Sequence, residues 1–174
     1  MELLDFLILI LSVIAPEWLG DITKYDLVVV ETGKTLPGDA VAIYTPSKEI
    51  VVWRYLPMNQ KVIALLHEFA HFEECINHSR VYGKDEPYGY TGGHNDLWRS
   101  IFSDLIYEAA EESIIDIDAF IDELSEFKIF TSDLPILSSV LGLPDFEVEN
   151  MYEFQNIEEM IRLEIEEGIL SYDE

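Results

Sequence analysis

The residues best suited to carry out chemistry form a pentad, His67-Glu68-Phe69-Ala70-His71. Histidines at positions i and i+4 of a helix lie on one face about one turn apart, so their two imidazoles can bind one metal ion. Glu68, beside the first histidine, can then reach a water at the metal and act as its general base. The apolar residues that precede and enter the pentad, from Val62 onward, have the pattern of a helix, which is the setting that this chemistry requires.

A catalytic zinc ion usually has three protein ligands and a water, and the chain offers three candidates for the third ligand. His94 is favoured because it follows a Gly-rich loop and opens a helix whose apolar face must pack inward. His78, separated from His71 by six residues, is an alternative. The acids of the next helix are the last candidates: Glu108 as a ligand, or Glu108, Glu111 and Asp104 as groups that orient an imidazole N–H.

The elements that must position the pentad begin with a small sheet. Three β-rich runs precede it, at 25–31, 40–44 and 49–54. A turn at Thr45-Pro46-Ser47-Lys48 joins the last two into a hairpin, and the motif helix then begins after Pro57 and ends near Asn77. This order predicts an α+β, zincin-like fold with a small antiparallel β-sheet packed on the HExxH helix. If Ile50–Trp53 is an edge strand, a peptide substrate can pair with it.

Further helices are predicted on both sides of this unit. The apolar run 3–15 is expected to be a helix buried against the core and ended by Pro16, with a short membrane- or partner-binding helix as the alternative. The helix that begins near His94 carries an inward stripe of Leu97, Trp98, Ile101, Phe102, Leu105, Ile106 and Ala109. Beyond it, 108–127 continues as helix, 134–144 is broken by Pro135, Gly142 and Pro144, and 146–170 is an acidic amphipathic helix. We expect one domain, 1–174, with an acidic helical C-terminal extension from about residue 110.

The composition limits the partners. The 174 residues include 35 acidic and 10 basic ones, a formal net charge of −25, and residues 101–174 alone hold 21 acidic and 2 basic residues. Such a surface repels phosphate backbones, so nucleic acid is not an expected partner. Cys75, the only cysteine, excludes an intrachain disulfide and is expected to be a small buried residue, although it can approach the metal. The N-terminal run is too short for a membrane span and too acidic for a signal peptide, so a cytoplasmic protein is expected.

The pentad and the segment Gly93-His94-Asn95-Asp96-Leu97-Trp98-Arg99-Ser100-Ile101-Phe102 together resemble the SprT-like and WLM-type zincin metalloproteases. In those proteins a third histidine stands at the head of another helix after the HExxH helix. The resemblance covers about residues 40–107 and implies zinc held by His67, His71 and His94, with Glu68 as the base. Asn95 departs from the Gly that usually follows the third histidine. The basic and zinc-ribbon segments of the DNA-linked members are also missing, so the resemblance indicates the metal site rather than a substrate.

The leading functional hypothesis is a zinc-dependent metallopeptidase with Glu68 as general base, acting on a peptide or protein. Tyr88, Tyr90 and Arg99 are candidates to stabilise the oxyanion or bind substrate, since they flank His94 in the sequence. A hydrolase acting on a non-peptide amide would use the same residues. The alternative from another class is a non-catalytic module with structural zinc that binds a basic partner through its acidic surface. It predicts a fourth ligand from Cys75, His78 or a carboxylate.

Overall fold

The computed structural model describes residues 1–37, 40–45, 47–81, 94–126 and 133–143. Its helices are α1 (Leu3–Ile14), α2 (Leu19–Lys24), α3 (Met58–Val81), α4 (Asp96–Glu111), α5 (Ile117–Glu126) and α6 (Leu134–Leu141), with a short 3-10 helix at Pro16–Trp18. The strands are β1 (Val28–Thr32), β2 (Ala42–Thr45) and β3 (Glu49–Trp53). The α+β class predicted from the sequence is confirmed.

The three strands form one mixed sheet in the order β1-β3-β2. The predicted hairpin is confirmed, because β2 pairs antiparallel with β3 and places Tyr44 opposite Ile50. β1 pairs parallel with β3 and places Val29 opposite Ile50 on the other side, so the prediction of an antiparallel sheet is wrong for this strand. The physical reason is the path of the chain: between β1 and β2 it crosses to the opposite edge, and the two strands then flank β3 in opposite directions.

The central position of β3 changes which backbone is available at the sheet edge. Ile50–Trp53 is hydrogen-bonded to a strand on each side, so it cannot be the edge strand that a peptide would join. β2 is an edge strand, and α3 packs against both β2 and β3. The Trp53 N–H donates to the Val41 carbonyl. Since hydrogen-bonded pairs alternate along an antiparallel ladder, the backbone groups of Ala42 and Tyr44 face away from β3.

α3, which carries the pentad, is the central helix of the fold. It packs against the sheet on one side and against α4 and α5 on others. From Val62 to Ile76 every side chain is buried except that of His67, which is partly exposed. The burial includes the polar side chains of Glu68, His71, Glu73 and Glu74 as well as the apolar ones. His67 therefore marks the place where this buried helix meets solvent.

A carboxylate from α5 fixes the N-terminus of α3. Glu123 Oε1 accepts hydrogen bonds from Asn59 Nδ2 at 2.6 Å and from the Asn59 N–H at 3.3 Å, and its Oε2 accepts from the Gln60 N–H at 3.3 Å. The first N–H groups of a helix have no intrahelical acceptor and carry partial positive charge, which a carboxylate stabilises. Asn59 Oδ1 accepts in turn from the Asp116 N–H at 2.9 Å.

The helices after the pentad have different boundaries from those predicted. α4 ends at Glu111, and Ser113 adopts a φ of 56°, so the continuous helix predicted over 108–127 is interrupted before α5. The segment predicted to be broken at Pro135 is a helix over Leu134–Leu141. Pro135 lies in its first turn, where a missing N–H removes no intrahelical hydrogen bond. α6 ends at Gly142, whose φ of 65° is left-handed.

The same core extends through the later helices. The buried apolar residues of α4, α5 and α6 are Trp98, Ile101, Phe102, Leu105, Ile106, Ala109, Phe120, Leu124, Leu134, Leu137 and Leu141. The predicted α4 stripe is thereby confirmed, except that Leu97 is 41% exposed. The described part of the predicted C-terminal extension is thus built into the core beside the pentad, whereas the helix predicted over 146–170 lies outside the described residues.

α1 packs as predicted. Leu3, Leu7, Ile10 and Leu11 are buried, and Pro16 follows the end of the helix. α1 contacts both β1 and α4. Within the ranges that the structure describes, no helix combines the length and the apolar character needed to cross a membrane.

Candidate metal centre

Three imidazoles converge where α3 reaches solvent, at His67. His67 and His71 lie one turn apart on that helix, and their Nε2 atoms are 3.2 Å apart. His94 precedes α4, and its Nε2 lies 3.2 Å from that of His67. One ring nitrogen from each of the three residues lies within 4.8 Å of the other two, so the three are close enough to bind one metal ion. The sequence prediction had brought together the same three residues.

A fourth residue, absent from the sequence prediction, orients the first imidazole. Asp133 Oδ2 is hydrogen-bonded to His67 Nδ1. Asp133 stands at the N-cap of α6, and its side chain makes no capping hydrogen bond there because it turns toward His67. A carboxylate on the far nitrogen of a metal-binding histidine fixes the ring orientation and raises the basicity of the ligating nitrogen.

This hydrogen bond decides which His67 nitrogen carries the lone pair. With the proton on Nδ1, shared with Asp133, the Nε2 of the neutral ring is an acceptor. One lone pair accepts one N–H, but the Nε2 atoms of His71 and His94 both lie 3.2 Å away. When all three rings are neutral, a bound metal ion would accept all three lone pairs.

The spacing of the nitrogens also fits a metal. Tetrahedral zinc with Zn–N bonds of about 2.0–2.1 Å places two ligand nitrogens about 3.3–3.4 Å apart. The 3.2 Å separations of His67 from His71 and of His67 from His94 are close to that value. Three nitrogen donors of this kind are the ligand set of an open tetrahedral site.

Trp98 forms the wall behind the imidazoles. Its buried ring stacks on His94 with the centroids 4.0 Å apart and on His71 at 5.1 Å, and it meets His67 edge-on at 4.7 Å. Its Nε1–H donates to the backbone carbonyl of His67 at 3.3 Å. Trp98 therefore contacts all three candidate ligands, and its hydrogen bond to the His67 carbonyl links α4 to α3.

Asn95 fixes the backbone next to the third histidine. Its Oδ1 accepts from the Trp98 N–H at 2.8 Å and so caps α4, while its Nδ2 donates to Glu74 Oε1 at 2.8 Å. Glu74 is 1% exposed and lies on α3, three residues after His71. A glycine at position 95 would supply neither bond. Asn95 thus links the helix that carries His71 to the start of α4, directly after His94.

Glu68, the predicted general base, is buried beside the cluster. It is 6% exposed, and its Oε1 lies 3.8 Å from His67 Nε2. Burial raises the pKa of this carboxyl to about 7, against the opposing charge of His67, and the nearby Asp133 adds to the increase. A hydrogen bond with the Tyr44 backbone lowers it in part, which places the outward edge of β2 against Glu68.

The three imidazoles differ in their affinity for protons in the metal-free protein. Burial, followed by the charge of His67, lowers the pKa of His71 to about 3. The pKa of His94 is lowered by the same two causes and by the charge of Arg99, against the opposing charge of Asp133. Burial lowers the pKa of His67, but the Asp133 hydrogen bond and the charges of Glu68 and Asp133 outweigh it, and the net direction is upward. His71 is accordingly a neutral nitrogen donor throughout the physiological range.

The remaining predicted site residues are placed as follows. Arg99 is exposed on α4, on the wall of a pocket that begins at His94. Glu108 is exposed farther along α4 and, like Glu111 and Asp104, takes no part in the imidazole cluster. Cys75 is buried, as expected, and its thiol lies 3.7 Å from Glu74 Oε2 rather than at the cluster. Tyr88 and Tyr90, together with the side chain of His78, lie outside what the structure describes.

Comparisons with protein-family models, with curated proteins and with solved structures give no match for this chain. The arguments for its function therefore come from the residues and their arrangement.

Proposed function

We propose that this protein is a zinc-dependent metallopeptidase, in which His67, His71 and His94 hold the zinc ion and Glu68 is the general base. The observation that carries the proposal is the convergence of three imidazole Nε2 atoms, two of them 3.2 Å from the third, with a buried carboxylate 3.8 Å from the same nitrogen. The SprT- and WLM-type zincin pattern in the sequence supports the same assignment.

The chain's own residues divide the work. A zinc ion held by three histidines supplies a Lewis acid that lowers the pKa of a water and polarises a carbonyl. Glu68 takes the proton from the attacking water and delivers it to the leaving amine nitrogen, and a pKa near 7 suits both transfers at neutral pH. Asp133 holds the His67 ring, and Trp98 excludes water from behind the imidazoles.

The position of β2 supports a peptide as the substrate. The outward backbone groups of this edge strand are those of Ala42 and Tyr44, and Tyr44 is hydrogen-bonded to Glu68. Because the bond to Glu68 uses part of the outward backbone of Tyr44, a peptide that paired with this edge would bond at Ala42 and run past the general base. β2 therefore takes the role that the sequence had offered to Ile50–Trp53.

The arrangement favours an open site over a closed structural one. A structural zinc needs a fourth protein ligand, and among the described residues only the three histidines form a group that can hold a metal. The cluster borders a pocket at His94, so solvent and a ligand can reach it.

The test separates metal binding from catalysis. The full-length protein is loaded with zinc and incubated with denatured casein, and peptide products are followed by mass spectrometry. Glu68→Gln should retain one zinc per chain but lose hydrolysis by about 100-fold or more. Glu108→Gln removes an exposed carboxylate of α4 and should leave the rate unchanged.

Hydrolysis that survives Glu68→Gln would refute the assigned base. Stoichiometric zinc with no cleavage of casein or of simple amides by the wild type would instead favour the structural-zinc alternative.

A further inference from the structure

A groove leads away from the candidate metal centre between α4 and α6. Its volume is about 440 Å³, and its inner end is formed by His94 and Asp133. Along the α4 wall lie Arg99 and Ser103, which are four residues apart and therefore on one face of the helix. A molecule held at the metal would extend into this groove.

The opposite wall is made by one face of α6. Ile136 and Val140, again four residues apart, give it an apolar surface, and Ser139 adds a hydroxyl. The groove thus pairs an apolar wall with a polar one that carries a guanidinium. This combination fits a short stretch of peptide with one anionic group.

The charge of Arg99 has no counterpart within the described part of the chain. No carboxylate oxygen there lies within 4.0 Å of its guanidinium, and Asp133, the acid that shares the groove, is hydrogen-bonded to His67. Among the residues that the structure describes, the Arg99 guanidinium therefore has no acidic partner and faces the groove beside the candidate metal centre.

We propose that this groove is a substrate subsite in which Arg99 binds a carboxylate of the peptide, supplied by an acidic side chain or by the chain terminus. The inference rests on the proposed peptidase function and adds a substrate preference to it. A guanidinium presents a planar fork that binds a carboxylate through two parallel hydrogen bonds. Ser103, one turn away on the same wall, can donate a third.

The acidity of the whole protein does not oppose this preference. At physiological salt the Debye length is about 8 Å, so exposed acids far from the groove are screened from a ligand inside it. The attraction between Arg99 and a ligand carboxylate in direct contact with it acts over much less than this length, so salt screens it less. The global charge of −25 disfavours a polyanion, and the groove therefore selects a peptide with a single carboxylate near the bond to be cleaved.

The test uses three zinc-binding peptide hydroxamates, two of which each carry one carboxylate that the third lacks. The first has a glutamine side chain and a free terminal carboxylate, the second a glutamate side chain and a terminal carboxamide, and the third a glutamine side chain and a terminal carboxamide. Dissociation constants are measured by calorimetry with zinc-loaded, full-length protein. One of the two carboxylate probes should bind about tenfold or more tightly than the neutral probe, the factor expected of one charge-assisted hydrogen bond. The tighter of the two identifies the source of the carboxylate.

Matched variants assign the effect. Arg99→Gln should abolish the preference, whereas Arg54→Gln, which removes an exposed arginine at the end of β3, should preserve it. Equal binding of all three probes, or a preference that persists in Arg99→Gln, would overturn the subsite while leaving zinc binding and the peptidase proposal intact. Failure of the wild-type protein to bind zinc when it is loaded for these measurements would overturn the proposed function and this inference with it.

Discussion

The contribution of Asp133 to metal binding can be measured with a single substitution. Asp133→Asn keeps the size of the side chain and an oxygen that can accept from His67 Nδ1–H, and asparagine is as good an N-cap residue as aspartate for α6. What it removes is the negative charge behind the imidazole. Loss of a carboxylate in this position typically lowers metal affinity about 10- to 100-fold, which is about 1.4–2.8 kcal/mol.

The burial of Asp133 and His67 narrows the expected loss of metal affinity. The side chains of Asp133 and His67 are 8% and 13% exposed, so water cannot replace the missing charge. We therefore expect a loss in the upper half of the range, about 30- to 100-fold. Zinc affinity would be measured by competition with a chromophoric chelator, with Asp104→Asn as the control because Asp104 is an exposed acid of α4. A decrease of less than about threefold for Asp133→Asn, or an equal decrease for both variants, would refute the role given to Asp133.

Three further predictions concern the parts that surround the site. Burial raises the pKa of Glu68 from 4.5 to about 7, so the metal-free fold loses stability as the pH rises through this range and the carboxyl ionises. Glu68→Gln should therefore match the wild type in free energy of unfolding at pH 4 and exceed it by up to about 3 kcal/mol at pH 8, as measured by urea unfolding with a chelator present. Glu123→Ala should lower the free energy of unfolding by about 1–2 kcal/mol, since it leaves the first N–H groups of α3 without their acceptor, while Glu108→Ala should change it by less than about 0.5 kcal/mol. Trp98→Ala should cost about 3–5 kcal/mol and weaken zinc binding, whereas Trp98→Phe should keep most of the stacking and lose the bond to the His67 carbonyl; equal zinc affinity in all three proteins would contradict the role of the ring as a wall of the site.

The three clustered histidines and the carboxylate proposed as the general base could be predicted from the sequence because their signals are local. His67, Glu68 and His71 lie within five residues on one helix, and the helical spacing alone sets their geometry. His94 could be added because it follows a Gly-rich loop and stands at the head of a helix with an inward apolar face. Leu97 was assigned to the core by the same spacing but is 41% exposed, although its neighbour Trp98 in the first turn of α4 is fully buried.

Asp133 could not be found in the same way, because its role depends on a contact across 66 residues of chain. The sequence contains 35 acids, and nothing distinguishes this one by composition. A signal was present nonetheless: Asp133 is followed by Leu134 and Pro135, and an aspartate one or two residues before a proline is typical of a helix start. The prediction that Pro135 breaks a helix was therefore wrong, since Pro135 lies in the first turn of α6. The parallel β1–β3 pairing was missed for a related reason, since local patterns do not encode the edge of a sheet to which a strand is added.

The residues of the metal centre come from the starts of two helices and the middle of a third, and this has a consequence for how the protein folds. In an unfolded chain only the pair on α3 remains close, while His94 and Asp133 are 27 and 66 residues from His67. The proposed metal affinity therefore belongs to the native state, and metal at a free concentration 100 times its dissociation constant would stabilise that state by about 2.7 kcal/mol. Resistance to proteolysis and to thermal unfolding should follow the supply of metal, so that chains which fail to acquire it are removed first.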